Sequence, residues 1–212
     1  MSIDYFPTHA QTSKQFPQGL QFEIGGGHNQ LKWHVIALPE FGIPEQDYNR
    51  QQFSFTPTLR VSYQLSFLDY LQLAPFVGYN QFGGKSREES NGYKDEFWFN
   101  SLEVGGLLCY QQSPLAFGVG IKYNRHLKII NRFYGYYTDP EYPSQRSWQE
   151  KDAASVFKNY SFDAGLRISW NEGHWSVSAE SWFALTQIEA PLYDVSEDIR
   201  ENHYRILLGY TL

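Results

Sequence analysis

Between Phe53 and Phe67 the chain reads FSFTPTLRVSYQLSF, an alternation that runs without a slip. Phe53, Phe55, Pro57, Leu59, Val61, Tyr63, Leu65 and Phe67 are separated by Ser54, Thr56, Thr58, Arg60, Ser62, Gln64 and Ser66. Successive side chains of a strand point to opposite faces, so this segment has one apolar and one polar face. It belongs to a sheet that divides two environments. What the apolar face meets, a protein core or lipid, decides the fold and the compartment.

The same period recurs along the chain. It is read over residues 19–28, 71–82, 98–110, 115–124, 160–170, 174–186 and 204–212, giving eight strands and no helix. Aromatic residues make up 18% of the chain, a usage that fits pleated surfaces and supports strands. Residues 68–70, 111–114 and 171–173 read as tight turns, whereas about 29–52, 83–96, 129–156 and 187–203 are long links. Long and short connections therefore alternate. In an up-and-down sheet this puts every short turn at one end and every long loop at the other, the pattern of a membrane barrel.

Three features point the apolar face outward. The central positions of the apolar faces carry essentially no charge, as hydrocarbon demands. The polar faces are rich in Gly, Ser, Thr and Ala and carry eight charges: Glu23, Arg60, Glu103, Lys122, Asp163, Arg167, Glu180 and Arg205. Acids and bases are equal in number there, as a narrow interior requires. A regular hairpin over 111–114 would set Glu103 opposite Lys122, and Arg167 would lie diagonal to Glu180. Finally, aromatics fall into two girdles. Phe67, Tyr110, Trp170, Trp175 and Tyr210 lie towards the short turns, and Phe53, Tyr79, Trp98, Tyr123, Tyr160, Phe183 and Tyr204 towards the long links.

Composition removes other classes. A net charge of −6 argues against a nucleic-acid binder. Cys109 is the lone cysteine, which excludes an internal disulfide and a Cys-rich metal site and reads as a packed side chain. No run approaches the roughly 20 apolar residues of a transmembrane helix. The mean hydropathy of −0.51 does not oppose a membrane barrel, because half of each strand and all loops are polar. MSIDYFPTHAQ lacks a charged start and an apolar run, so a leader is not expected here. Residues 1–18 are expected to form an N-terminal periplasmic tail and 19–212 the barrel domain.

Over roughly residues 19–212 this pattern resembles the small eight-stranded outer-membrane barrels of the OmpA/OmpX type. The final segment HYRILLGYTL is similar to their C-terminal strand, although it ends on Leu212 with Tyr210 two residues earlier. The resemblance implies an all-β, eight-stranded antiparallel up-and-down transmembrane β-barrel with short periplasmic turns and long extracellular loops. It also implies residence in the outer membrane of a Gram-negative-type bacterium, against outer-membrane lipid and lipopolysaccharide, with no periplasmic domain after the last strand.

Eight strands leave an interior that side chains just fill, so the charges are expected to plug the barrel rather than line a channel. An enzyme acting on lipid A would need a nucleophile, a base and an orienting carboxylate. His174-Trp175-Ser176 has a suggestive spacing, but it is placed at the periplasmic end, pointing inward. His28, His34, His126 and His203 are expected near strand ends or in loops, solvated and without a triad. No catalytic, cofactor or metal site is expected. The richest contact surface is the 129–156 link, where Phe133, Tyr134, Tyr136, Tyr137, Tyr142 and Trp148 are interspersed with Arg132, Asp139, Glu141 and Arg146. Tyr, Trp and Arg anchor interfaces, although the same aromatics also suit a cap over the barrel mouth. The expectation is a non-enzymatic structural, accessory or surface-interaction protein, with other outer-membrane proteins as partners. A lipid-A-modifying enzyme, a narrow pore and a soluble barrel are the alternatives.

Overall fold

The computed structural model describes residues 18–35, 46–87, 94–136, 146–155, 157–188 and 197–212. The expected tail, residues 1–17, lies outside the described residues. The described chain forms strands β1 (Gly19–Val35), β2 (Gln46–Leu68), β3 (Leu71–Arg87), β4 (Lys94–Gln112), β5 (Leu115–Tyr136), β6 (Arg146–Asp152), β7 (Tyr160–Glu172), β8 (Trp175–Ala184) and β9 (Glu197–Thr211). All pairings are antiparallel. Eight strands close a ring in the order β1-β2-β3-β4-β5-β7-β8-β9, with β9 returning to β1. The expected all-β barrel is present.

The ninth strand lies outside that ring. β7 accompanies β5 only as far as Arg125, opposite Tyr160. Beyond it, β6 takes over the vacated edge, from Ile130 opposite Asp152 to Tyr136 opposite Arg146. The 129–156 link is therefore not a free loop: half of it is a two-stranded ribbon continuing the wall. The other long links are shortened in the same way, since β1 runs on to Val35 and β2 starts at Gln46.

The three described turns are each tighter than the sequence suggested. They are the residue pairs Asp69–Tyr70, Ser113–Pro114 and Gly173–His174. Gly173 has φ of +58°, a conformation that a residue without Cβ adopts without cost.

The two faces separate as the alternation requires. Ile121 and Ile206 are 69% and 66% exposed, while Arg60 and Glu103 are 2% and 0% exposed. Leu59, Val77, Val104, Val119, Leu166, Val177 and Leu208 join the outer belt. A continuous apolar belt of this kind does not face water. Phe67, Tyr110, Trp170, Trp175 and Tyr210 ring its short-turn end, all exposed. Tyr123, Tyr160 and Phe162 pack together towards the other end, with Tyr123 and Phe162 ring centres 5.1 Å apart. The chain is a transmembrane β-barrel of the outer-membrane type, with its apolar side facing lipid and its polar side inside.

A single arginine on this belt tests the assignment. Leu59→Arg or Leu208→Arg is expected to destabilise the barrel by about 2–4 kcal/mol, the cost of a cation near the midplane. Urea titrations of barrels refolded into lipid vesicles measure it. Wild type folding in plain buffer as a soluble monomer would refute the membrane assignment.

Candidate functional site

The lumen is built in three layers, of which the middle one is ionic. Glu103 on β4 is its hub. Arg205 on β9 donates to Glu103 Oε2 through Nη1 and Nη2, both at 3.0 Å. Arg60 on β2 donates to Oε1 through Nε and Nη2, both at 3.1 Å, and Lys122 on β5 reaches Oε2 at 3.2 Å. Arg60 also donates to Glu180 at 2.6 and 2.9 Å. Arg167 bridges Glu180 at 3.2 Å to Glu23 at 2.5 Å, and Lys122 lies 3.3 Å from Asp163. All eight charged residues singled out in the sequence meet here, and all are buried.

Their detailed partners differ from the sequence expectation. The Ser113–Pro114 turn is two residues long, so Glu103 stands opposite Asn124 and Lys122 opposite Gly105. Lys122 reaches Glu103 diagonally. Arg167 and Glu180 are directly opposite rather than diagonal, because Gly173–His174 also closes a two-residue turn. Aromatic side chains lie within the network as well: the Arg60 guanidinium is 4.1 Å from the centre of the Phe76 ring, and Lys122 Nζ is 5.0 Å from that of Trp182. Trp182 rests against Gly165, where an added Cβ would collide with its ring.

A layer of amides closes the short-turn end. Gln21 Nε2 donates to Ser176 Oγ at 2.8 Å, Gln64 Nε2 donates to Gln21 Oε1 and Ser62 Oγ, and Gln111 donates to Gln72. The small pocket left among them, about 30 Å³, has room for water. Cys109 packs just above with Ala74, Phe76, Leu107 and Trp182, as a buried small side chain.

The layer at the long-link end is apolar. Leu31, Phe82, Phe97, Phe99, Ile129, Ala153, Phe157, Ile188 and Ile199 form one buried cluster, with Phe82 and Phe99 stacked at 4.8 Å. Beneath it lie polar residues that the sequence reading placed in solvent or did not single out. His203 and His126 are buried inside, as is Glu201. Continuing the β9 alternation two steps past Arg205 would have put His203 and Glu201 on the inner face.

The histidines do not build a hydrolytic triad. Ser101 Oγ and His126 Nδ1 are 2.8 Å apart, but the rings of Phe82 and Phe99 pack at 5.4 Å and no hydrogen bond engages Nε2. His28 is partly exposed and stacks with Tyr204. The side chain of His34 lies outside the described residues. His174 does not point inward: it is an exposed turn residue whose Nδ1 lies 2.7 Å from the Thr211 carbonyl oxygen. Ser176 faces the lumen and bonds Gln21.

Of the six contact aromatics, Tyr137 and Tyr142 lie outside the described residues. Phe133, Tyr134, Tyr136 and Trp148 sit on the β5–β6 ribbon, with Tyr134 opposite Trp148, and their side chains likewise lie outside the described residues. Arg132 and Glu150 at the ribbon's base are exposed and 3.5 Å apart.

No family model matches the chain, and no curated protein matches it. Solved structures of similar fold include the attachment invasion locus protein Ail of Yersinia pestis, in complex with the heparin analogue sucrose octasulfate. Its identity is 13%, its TM-score 0.42, and the match covers 92% of this chain and 99% of Ail. The outer membrane protease OmpT of Escherichia coli has 12% identity and a TM-score of 0.43, covering 95% and 100% of the two chains. The outer membrane protein OprG of Pseudomonas aeruginosa has 14% identity and a TM-score of 0.39, covering 93% and 98%. These likenesses concern the course of the chain and assign no role.

Glu103→Ala tests the hub, because it leaves Arg60, Lys122 and Arg205 without their shared carboxylate. The expected loss is about 3–5 kcal/mol, the cost of uncompensated buried charge. Urea unfolding of vesicle-embedded barrels, followed by tryptophan fluorescence, measures it; an unchanged midpoint would show that the network contributes little.

Proposed function

We propose that this outer-membrane barrel is a rigid mount, not a conduit, and that it acts at the cell surface as a structural or accessory protein through the links at its long-link end. The observation supporting this reading is the filled lumen. Amides, an ionic network and an apolar layer succeed one another along the described interior, and eight strands leave no further width. A barrel without a water path has its chemistry on its outside. The β5–β6 ribbon and the link at its tip, with Phe133, Tyr134, Tyr136, Tyr137, Tyr142 and Trp148, are the proposed contact region, and other outer-membrane proteins or lipopolysaccharide are its proposed partners. Stiffness below favours binding above, because a fixed base lowers the ordering cost of the contact.

Two measurements bear on this reading. In planar lipid bilayers the refolded wild type is expected to show no stepwise conductance. A photo-crosslinking phenylalanine at Tyr142 or Trp148, activated on intact cells, is expected to give adducts with surface proteins or lipopolysaccharide, while the same group at Leu59 gives lipid adducts alone. Stepwise conductance would overturn the mount in favour of a pore, and absence of adducts at both ribbon positions would overturn the contact region.

A further inference from the structure

Beneath the Phe82–Phe99 stack, Asp163 on β7 and Glu201 and His203 on β9 converge inside the barrel. All three are buried, and one ligand atom from each lies within 4.8 Å of the others. His203 Nε2 is 3.0 Å from Glu201 Oε1 and 3.6 Å from Asp163 Oδ2. Donors about 2.0–2.2 Å from a tetrahedral zinc ion stand about 3.3–3.6 Å from one another. One measured separation lies at the top of that range and the other just below it.

The tautomer of His203 is set from the other side of the ring. Thr56 donates its hydroxyl proton to the Gly27 carbonyl at 3.1 Å, so it accepts from Asn29 Nδ2 at 2.9 Å. That orients Asn29 Oδ1 towards His203 Nδ1, at 2.9 Å. An amide oxygen only accepts, so Nδ1 carries the proton. In the neutral ring Nε2 then presents a bare lone pair towards Glu201 Oε1, which Ser161 also approaches at 3.4 Å, and Asp163 Oδ2, which Asn124 and Lys122 also approach; a metal ion or a proton between them relieves the contact. A histidine ligand whose other nitrogen donates to a carbonyl oxygen is the usual support around a metal.

Orphaned acceptors surround the same spot. Asp163 Oδ1 and Glu201 Oε2 are buried without a hydrogen-bond partner, and so is Oδ1 of Asn124, whose Nδ2 donates to Asp163 Oδ2 at 2.8 Å. Lys122 approaches Asp163 on Oδ2, at 3.3 Å, and no ion pair reaches Oδ1 among the described residues. The described lumen also buries five carboxylates (Glu23, Glu103, Asp163, Glu180 and Glu201) against four cations (Arg60, Lys122, Arg167 and Arg205). The described interior is short of one positive charge, and Asp163 Oδ1 and Glu201 Oε2 are among its carboxylate oxygens without a hydrogen-bond partner, with Glu23 Oε2 in the ionic layer the other.

We infer that Asp163, Glu201 and His203 form a buried site for a first-row divalent metal ion of the zinc class, with Asn29 as the residue that positions His203. One imidazole and two carboxylates are a borderline donor set that suits such an ion. The site is enclosed by the apolar layer above and the ionic layer below, so the metal is taken up as the barrel closes and is held for structure. Removing it costs stability.

The experiment refolds the full-length chain from denaturant into detergent micelles, with Zn²⁺ or with a chelator. Desalting follows, then measurement of metal per folded barrel by mass spectrometry, with folding checked by heat-modifiable gel migration. Wild type is expected to retain about one Zn²⁺ per barrel and to melt higher than the chelated form. Glu201→Gln and His203→Gln are expected to lose the metal, while His174→Ala, at the exposed turn, keeps it. Asn29→Ala leaves all three ligands in place and is expected to weaken retention about 10–100-fold, which keeps the test decisive if the ligand variants do not fold. A folded wild type that retains no more Zn²⁺ than the chelated control overturns the site and leaves a proton shared by His203 and Glu201 as the missing cation. Retention undiminished in folded His203→Gln overturns it as well.

Discussion

Hydrocarbon offers no hydrogen bonds to a peptide group, and the rest of this molecule follows from that. A sheet in lipid has to close on itself, because every open edge would leave a row of unpaired N–H and C=O groups. Closure here uses eight strands, with β9 returning to β1 along nearly the whole of its length. That number leaves an interior just wide enough for side chains to fill. Small inward residues make room for large, paired ones, and the Arg60–Phe76 and Lys122–Trp182 contacts show charged side chains that fill space and are paired at once.

The wall changes character along its height. At the level of Leu59, Val119 and Leu208 the outside is apolar and the inside polar. Higher up the assignment reverses. Lys32, Lys128 and Arg132 point outward and are exposed, whereas their neighbours Leu31 and Ile129 are buried within. The reversal marks where lipid gives way to water: above that level the barrel behaves as a soluble protein with an apolar core. The upper barrel is thus a small water-facing domain grown from the same strands, and the β5–β6 ribbon is its rim.

Most of the strands were legible because their alternation reports a membrane directly, as in Leu59-Arg60-Val61-Ser62. The charged lumen was legible for the same reason, since Glu103 or Arg167 on an otherwise clean period has to face inward. Three things were hidden. Register depends on turn length, and a Ser-Pro turn two residues long shifts Lys122 away from the position opposite Glu103. Phe82 and Phe99 continue the inward period, but a rule that equates inside with polar overlooks them once the wall has left the lipid. Glu201 and His203 were missed because β9 was taken to start at Tyr204, so an inner-face pair was treated as part of a solvated link. His174 erred the other way: Gly173 places it in the turn, off the strand that would have carried it inward.

Three ion pairs of the middle layer are chords across the barrel, and they join distant parts of the chain. Arg205 meets Glu103 across 102 residues, Arg60 meets Glu180 across 120, and Glu23 meets Arg167 across 144. Each chord links the first half of the sheet to the second. In a half-assembled sheet none of these three pairs can form, and Arg60 has only Glu23 and Glu103 of its own half to meet it. The network is therefore completed only when the last strand brings Arg205 to Glu103.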